Sequence, residues 1–233
     1  GVHDLNDEEI FTIIFTSGST GEPKGVMLTM GNIGSNVAAI DSVVHLHKED
    51  VLLGILPFFH VFGYTATLWT VLTLLPKGIY HFSPLEAREV GKLCGRHKAT
   101  IVLTTPTFLR GFLRRCEVEQ FAAVDVLVTG AERLPTELAD AFEKKFGIRP
   151  IEGYGTTELS PLSALNIPPS RARENPGEGV REGTIGRSIP GVDAKVVHLE
   201  TGENLPPDTE GMLLFRGPNV MKGYLKDQKK RPR

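Results

Sequence analysis

Short apolar runs alternate with amphipathic stretches along most of this 233-residue chain, and that alternation predicts a layered α/β fold. Residues 10–15 form an apolar run that reads as a buried strand. Thr29 can cap a helix whose Ile33, Val37, Ile40 and Val44 follow one face. A strand over 51–56 ends at Pro57, a helix over 62–75 covers the core, and a brief strand occupies 79–82. Pro84 opens a helix to residue 97, because proline suits the first helical turn. A strand over 101–103 and a helix over 106–115 follow. Residues 124–128 are apolar without alternation apart from Asp125, the pattern of a strand buried on both faces in a parallel sheet. Pro135 opens a helix with Leu138, Phe142 and Phe146 on one side, Gly147 stops it, and 148–154 is the next strand. From 168 to 183 the chain turns polar, with Arg171, Arg173 and Arg181 among acids, and reads as a surface loop. Strands at 194–199 and 212–215 flank a turn-rich stretch.

The expected fold is therefore α/β, a largely parallel sheet flanked by helices, with a small β-rich subdomain at the C-terminal end. The expected division is a core over 1–185, the β-rich part over 186–225 and a basic tail over 226–233.

Composition narrows the function classes. A net charge of -2 offers no basic stripe for nucleic acid, so none is expected as a partner. Two cysteines, Cys94 and Cys116, lack the spacing of a zinc site or a disulfide framework, which points to a reducing, cytoplasmic compartment. Residues 1–7 are polar and acidic, unlike a signal peptide. The most apolar stretch, 61–75, is too short to span a bilayer. The chain begins just before its first core strand and reads as the central portion of a larger protein.

Four hydroxyls, three glycines and a lysine crowd residues 16–25: Thr16, Ser17, Gly18, Ser19, Thr20, Gly21, Glu22, Pro23, Lys24 and Gly25. Glycines let successive amides turn toward one point, hydroxyls add donors, and Lys24 adds a mobile positive charge, a combination suited to phosphate oxygens. A flexible Ser/Gly loop beside a surface lysine is the alternative. The spacing is not that of a Walker A loop, since Pro23 stands where the second glycine belongs and Gly25 where a hydroxyl must follow the lysine.

This run resembles the signature loop of the adenylate-forming enzymes, which include acyl-CoA synthetases, luciferases and peptide-synthetase adenylation domains. Glu152, Gly153, Tyr154, Gly155, Thr156, Thr157 and Glu158 resemble that family's adenine and metal motif. The resemblance implies that Tyr154 stacks on a purine, Thr157 donates to the α-phosphate and Glu158 binds Mg²⁺. A capped turn, Thr-Thr-Glu starting a helix, is the alternative for this stretch alone. Gly130, Ala131 and Glu132 correspond to a strand-end turn that lines the adenine and acyl pocket, with backbone contacts favoured over the Glu132 side chain. His60, within Pro57-Phe58-Phe59-His60-Val61-Phe62-Gly63, matches a histidine placed against the carboxylate substrate, although a lone histidine in an apolar segment is commonly a core residue.

Later motifs, including Arg216-Gly217-Pro218-Asn219-Val220-Met221-Lys222-Gly223-Tyr224, are similar to fatty acyl synthetases, among them acyl-[acyl-carrier-protein] synthetase domains and long-chain acyl-CoA ligases. The resemblance implies a ligase that uses MgATP to activate a fatty carboxylate as acyl-AMP. Coenzyme A or acyl carrier protein would take the acyl group in the complete enzyme. Membrane association would arise only through other parts of the parent. Family members carry a ribose-binding Tyr-x-Thr-Gly-Asp segment and a C-terminal domain with a catalytic lysine beyond the last matching residues, so an incomplete nucleotide- or acyl-binding module is the alternative. Met30 stands where the family usually has histidine.

Overall fold

The computed structural model describes residues 6–16, 22–173 and 179–226 of the chain. In chain order its elements are β1 (Ile10–Thr16), β2 (Lys24–Thr29), α1 (Met30–Val43), β3 (Val51–Gly54), a π-helical segment (Phe62–Trp69) running into α2 (Thr70–Thr73), and β4 (Lys77–Tyr80). Then follow α3 (Ala87–His97), β5 (Ile101–Thr104), α4 (Pro106–Arg115), β6 (Val126–Thr129), α5 (Thr136–Phe146), β7 (Ile151–Gly155), β8 (Leu162–Leu165), β9 (Arg187–Ser188), β10 (Asp193–Val197), β11 (Met212–Arg216) and β12 (Gly223–Tyr224).

A seven-stranded sheet in the order β4-β3-β5-β6-β7-β8-β9 forms the centre. β4 to β7 run parallel, and β8 and β9 continue the sheet antiparallel. On one face α3, α4 and α5 bury Val90, Cys94, Leu109, Phe112, Leu138 and Phe142 against Leu53, Val102 and Leu127. The other face carries Leu52, Ile101, Val126 and Ile151, with Ile40 and Val43 of α1 packed on it. The α/β expectation holds for physical reasons visible in the sequence: β5 and β6 are apolar on both faces because helices cover both.

Residues 10–15 differ from expectation. β1 belongs to a separate antiparallel sheet, β1-β2-β12, and not to the parallel one. It is not a buried strand either, since Ile14 is buried but Ile10, Ile13 and Phe15 are exposed. Period-two alternation, not a continuous apolar core, is the pattern that matters there. β2 begins at Lys24, inside the glycine-rich run, and pairs along its full length with β1. The segment over 62–75 is helical as expected, but its first eight residues are π-helical, with Thr67 donating to the Gly63 carbonyl at 2.6 Å. β10 and β11 pair only with each other, β9 joins the central sheet, and β12 joins β2.

The polar stretch 168–183 is largely exposed where it is described, and Arg171 is the exception to its reading as surface. Arg171 is only 4% exposed. Its guanidinium donates to both Asp50 oxygens at 2.7 Å and to Asp125, and it reaches the His45 carbonyl at 3.0 Å. Asp50 is itself 3% exposed and accepts from the His47 amide and the Thr100 hydroxyl. Burial alone would push the Asp50 carboxyl up, but the Arg171 hydrogen bonds, the two other donors and the Arg171 charge together hold it below its ordinary value. The same pairing raises Arg171, chiefly through Asp50.

Candidate functional site

The glycine-rich run connects β1 to β2. Thr16 and Lys24 face each other as the last pair of that hairpin. Ser17, Gly18, Ser19, Thr20 and Gly21 lie outside the described residues. The hairpin mouth therefore fixes where the loop starts and ends.

On the other side stands the turn after β7. Thr157–Leu159 form a short 3-10 turn, and the Thr156 amide donates to the Pro161 carbonyl at 3.1 Å. Gly155 is required by close approach, because a Cβ there would come within 2.2 Å of the Pro161 oxygen. Ser160 ends the turn in the left-handed region (φ 72°), its hydroxyl donating to the Asn219 carbonyl at 2.7 Å.

Three buried asparagines hold the two halves together. Thr29 and Asn32 form a reciprocal capping box at the start of α1, and Asn32 Nδ2 also donates to the carbonyls of Pro218 (2.7 Å) and Val220 (3.0 Å). One turn on, Asn36 exchanges hydrogen bonds with the Leu162 backbone, accepting from its amide at 2.8 Å and donating to its carbonyl at 3.2 Å. Asn219 donates to the Leu159 and Leu162 carbonyls and to Ser163 Oγ. The spacing of four between Asn32 and Asn36 puts both on one helical face.

This clamp delivers β12 to the site. The Met221 amide donates to the Glu158 carbonyl at 2.8 Å, and Tyr224 pairs with Val26 of β2. Tyr224 Oη then donates to Glu158 Oε1 at 2.9 Å, while Lys24 Nζ lies 5.5 Å from the centre of the Tyr224 ring. Burial first, then the bond and charge of Glu158, push the Tyr224 hydroxyl up to about 12. Lys24, Tyr224 and Glu158 thus form a continuous chain from the hairpin mouth to the turn.

The remaining candidates gather nearby in part. Tyr154 stacks on Phe215 of β11, ring centres 5.5 Å apart and planes within 24°. A Cβ on Gly130 would sit 3.0 Å from Phe62 and 3.6 Å from the Gly153 carbonyl, so the 57–63 segment, the 130–132 turn and β7 meet there. Ala131 adopts φ 68°, and the Glu132 carboxylate is occupied by the Thr107 hydroxyl at 2.8 and 3.0 Å. His60 is exposed, its ring 4.7 Å from that of Phe59. Phe59 is 72% exposed, so it is no core residue.

Tyr224, Phe215 and the asparagines were not singled out as site residues from sequence. Their type carries no chemical signature, and only pairing with distant segments gives them a role.

The donor chemistry fits a magnesium ion shared with a substrate. Mg²⁺ is usually held by one or two carboxylates plus phosphate oxygens and water, which a single acid such as Glu158 can satisfy. Among the described residues, no group of three or more His, Cys, Asp or Glu could hold a metal alone. No helix among them is long and apolar enough to cross a membrane.

Comparison with known proteins agrees with this geometry. The family described as AMP-binding enzyme matches residues 2–225. A long-chain-fatty-acid–CoA ligase of Bacillus subtilis is 36% identical over 228 residues, covering 94% of this chain and 38% of that protein. A 4-coumarate–CoA ligase of Pinus taeda is 31% identical over 235 residues, covering 96% and 42%. The crystal structure of ATP-bound MatB from Rhodopseudomonas palustris superposes with a TM-score of 0.83 at 30% identity, over 96% of this chain and 42% of that one. The chain thus spans about two fifths of the length of each of these proteins.

Proposed function

This chain belongs to the AMP-binding enzyme family, and on that premise we propose that it carries the nucleotide-binding part of a ligase that activates a fatty carboxylate as acyl-AMP. The observation that carries the reading is the chain of Lys24, Tyr224 and Glu158, which joins the glycine-rich hairpin to the Thr156–Thr157–Glu158 turn. Two motifs far apart in sequence thereby face one space.

A carboxylate is already ionised at neutral pH, so attack needs no general base. Its oxygen forms a bond to the α-phosphorus of ATP as the bond to pyrophosphate breaks. The protein's work is to neutralise charge and align the two reactants. Lys24 and the 17–21 loop hold phosphate oxygens, Thr157 donates to the α-phosphate, and Glu158 anchors Mg²⁺. When bound, the ion offsets phosphate charge as a Lewis acid. Phe215 backs one face of Tyr154, so adenine stacks on the other, and the backbone of Gly130 and Ala131 meets the base edge. His60 faces the carboxylate, with Phe58 and Phe59 along the acyl tail.

In the complete protein the acyl group passes to the thiol of coenzyme A or of acyl carrier protein, in a reducing, cytoplasmic setting. Several CoA ligases among the relatives support the coenzyme A arm.

The test is a calorimetric titration of the chain with a non-hydrolysable long-chain acyl-adenylate analogue. The same acyl chain lacking adenosine serves as the comparison ligand. Saturable binding that needs both halves and disappears in Tyr154→Ala supports the reading. A folded chain that binds neither ligand refutes it.

A further inference from the structure

We propose that Tyr224 is a positioning residue for the magnesium-binding carboxylate: its hydroxyl fixes Glu158 Oε1 so that Oε2 is presented to the ion, and its ring seats the Lys24 ammonium. This inference rests on the nucleotide-binding reading above.

Four observations support it. First, Tyr224 is placed by backbone, not by chance contact, since β12 pairs with β2 through Gly223↔Met27 and Tyr224↔Val26. Second, the Glu158 backbone is held by the same segment through the Met221 amide at 2.8 Å. The segment thus fixes both ends of that glutamate. Third, the 2.9 Å bond from Tyr224 Oη engages one carboxylate oxygen and leaves the other without that donor. A free carboxylate rotates about its last bond and must be ordered each time an ion binds, whereas one held by a neutral donor is ordered beforehand. Fourth, Lys24 lies 5.5 Å from the ring centre, within range of a cation–π contact. One side chain therefore touches both the site's cation and its acid.

The hydroxyl and the ring have separable consequences. Tyr224→Phe keeps the ring beneath Lys24 and deletes only the donor. Tyr224→Leu deletes both. Outer-shell hydrogen bonds to metal ligands typically change metal affinity about 10–100-fold. Tyr224→Phe is therefore expected to raise the Mg²⁺ concentration that half-saturates nucleotide binding by roughly tenfold. Nucleotide affinity at saturating Mg²⁺ should stay within about twofold, because Lys24 keeps its seat. Tyr224→Leu should weaken affinity at saturating Mg²⁺ as well.

The experiment is a calorimetric titration of the full chain with a non-hydrolysable ATP analogue, repeated across a Mg²⁺ series, for wild type and both variants. Thermal unfolding by circular dichroism verifies that each variant is folded. A shift in Mg²⁺ dependence confined to Tyr224→Phe, with the further loss in Tyr224→Leu, upholds the assignment. Equal Mg²⁺ dependence in wild type and Tyr224→Phe overturns it while leaving nucleotide binding intact. A uniform affinity loss in Tyr224→Phe at every Mg²⁺ concentration also overturns it, since that is what a merely structural role produces. Wild type that binds no analogue at any Mg²⁺ concentration overturns the nucleotide reading, and this inference with it.

Discussion

Replacing Arg171 with methionine removes the only cation bonded to a carboxylate that is 3% exposed, among the described residues. Methionine fills most of the stem volume, so the loss is mainly electrostatic. Asp125 is half exposed and gains little from its share of the guanidinium, since a solvated pair is weak. Asp50 is different: both of its oxygens accept from Arg171 at 2.7 Å inside the fold. Breaking a buried pair from one side typically costs about 3–5 kcal/mol. Asp50 keeps the His47 amide at 2.7 Å and the Thr100 hydroxyl at 2.8 Å, which favours the lower end of that range. The expectation is a loss of about 3 kcal/mol, or a fall in Tm of roughly 6–12 °C for a chain of this size.

The pH dependence separates this account from simple loss of packing. In the wild type the Asp50 carboxyl is held below its ordinary value, so its contribution is full above about pH 4 and fades as pH falls through the lowered value. In Arg171→Met, burial is opposed only by the His47 and Thr100 hydrogen bonds, so the same carboxyl rises relative to the wild type. That variant is penalised most at neutral pH and relieved as Asp50 protonates. The difference between the two proteins must therefore narrow as pH falls from about 8 to 4.5. Urea unfolding followed by the fluorescence of Trp69, the single tryptophan, measures it. A loss below about 1 kcal/mol that is flat across that pH range would refute the reasoning.

Other expectations follow from the same structure. Gly155→Ala drives a Cβ to 2.2 Å from the Pro161 carbonyl, so the Glu158 turn must shift; a cost of about 3 kcal/mol in urea unfolding is expected, together with weaker nucleotide binding in calorimetry. Asn36→Ala leaves the partly buried Leu162 amide without its acceptor and should cost about 1–3 kcal/mol, with faster hydrogen exchange at that amide. Burial pushes the Cys94 thiol up to about 12 and Cys116 to about 11, so a thiol reagent at pH 8 should label neither in the folded chain and both after unfolding.

The central sheet was legible because its strands obey a local rule. Residues 126–128 are apolar throughout, as a strand covered by helices on both faces requires. The Thr29 cap was equally local, and Thr29 does accept from the Asn32 amide. What escaped notice depended on partners far along the chain. Arg171 sits among charged residues and looks solvated until Asp50, 121 positions away, is brought against it. Tyr224 looks like one aromatic in a glycine-rich tail until β12 lies beside β2. β1 was misplaced because a six-residue apolar run does not say whether its neighbours are parallel strands or a hairpin.

The pairing of β12 with β2 also sets an order of events during synthesis. Met27 is made before the central sheet, yet its strand partner Gly223 is made nearly two hundred residues later. By then β3 to β7 and their helices can already have formed, since each neighbouring pair there is close in sequence. The hairpin waits with one edge unpaired, and Glu158 waits without Tyr224. A contact of such long sequence separation forms late and slowly. The side of the molecule that carries the Glu158 turn thus closes after the central sheet, and a chain not yet made as far as Tyr224 has a built sheet with an unfinished Glu158 turn.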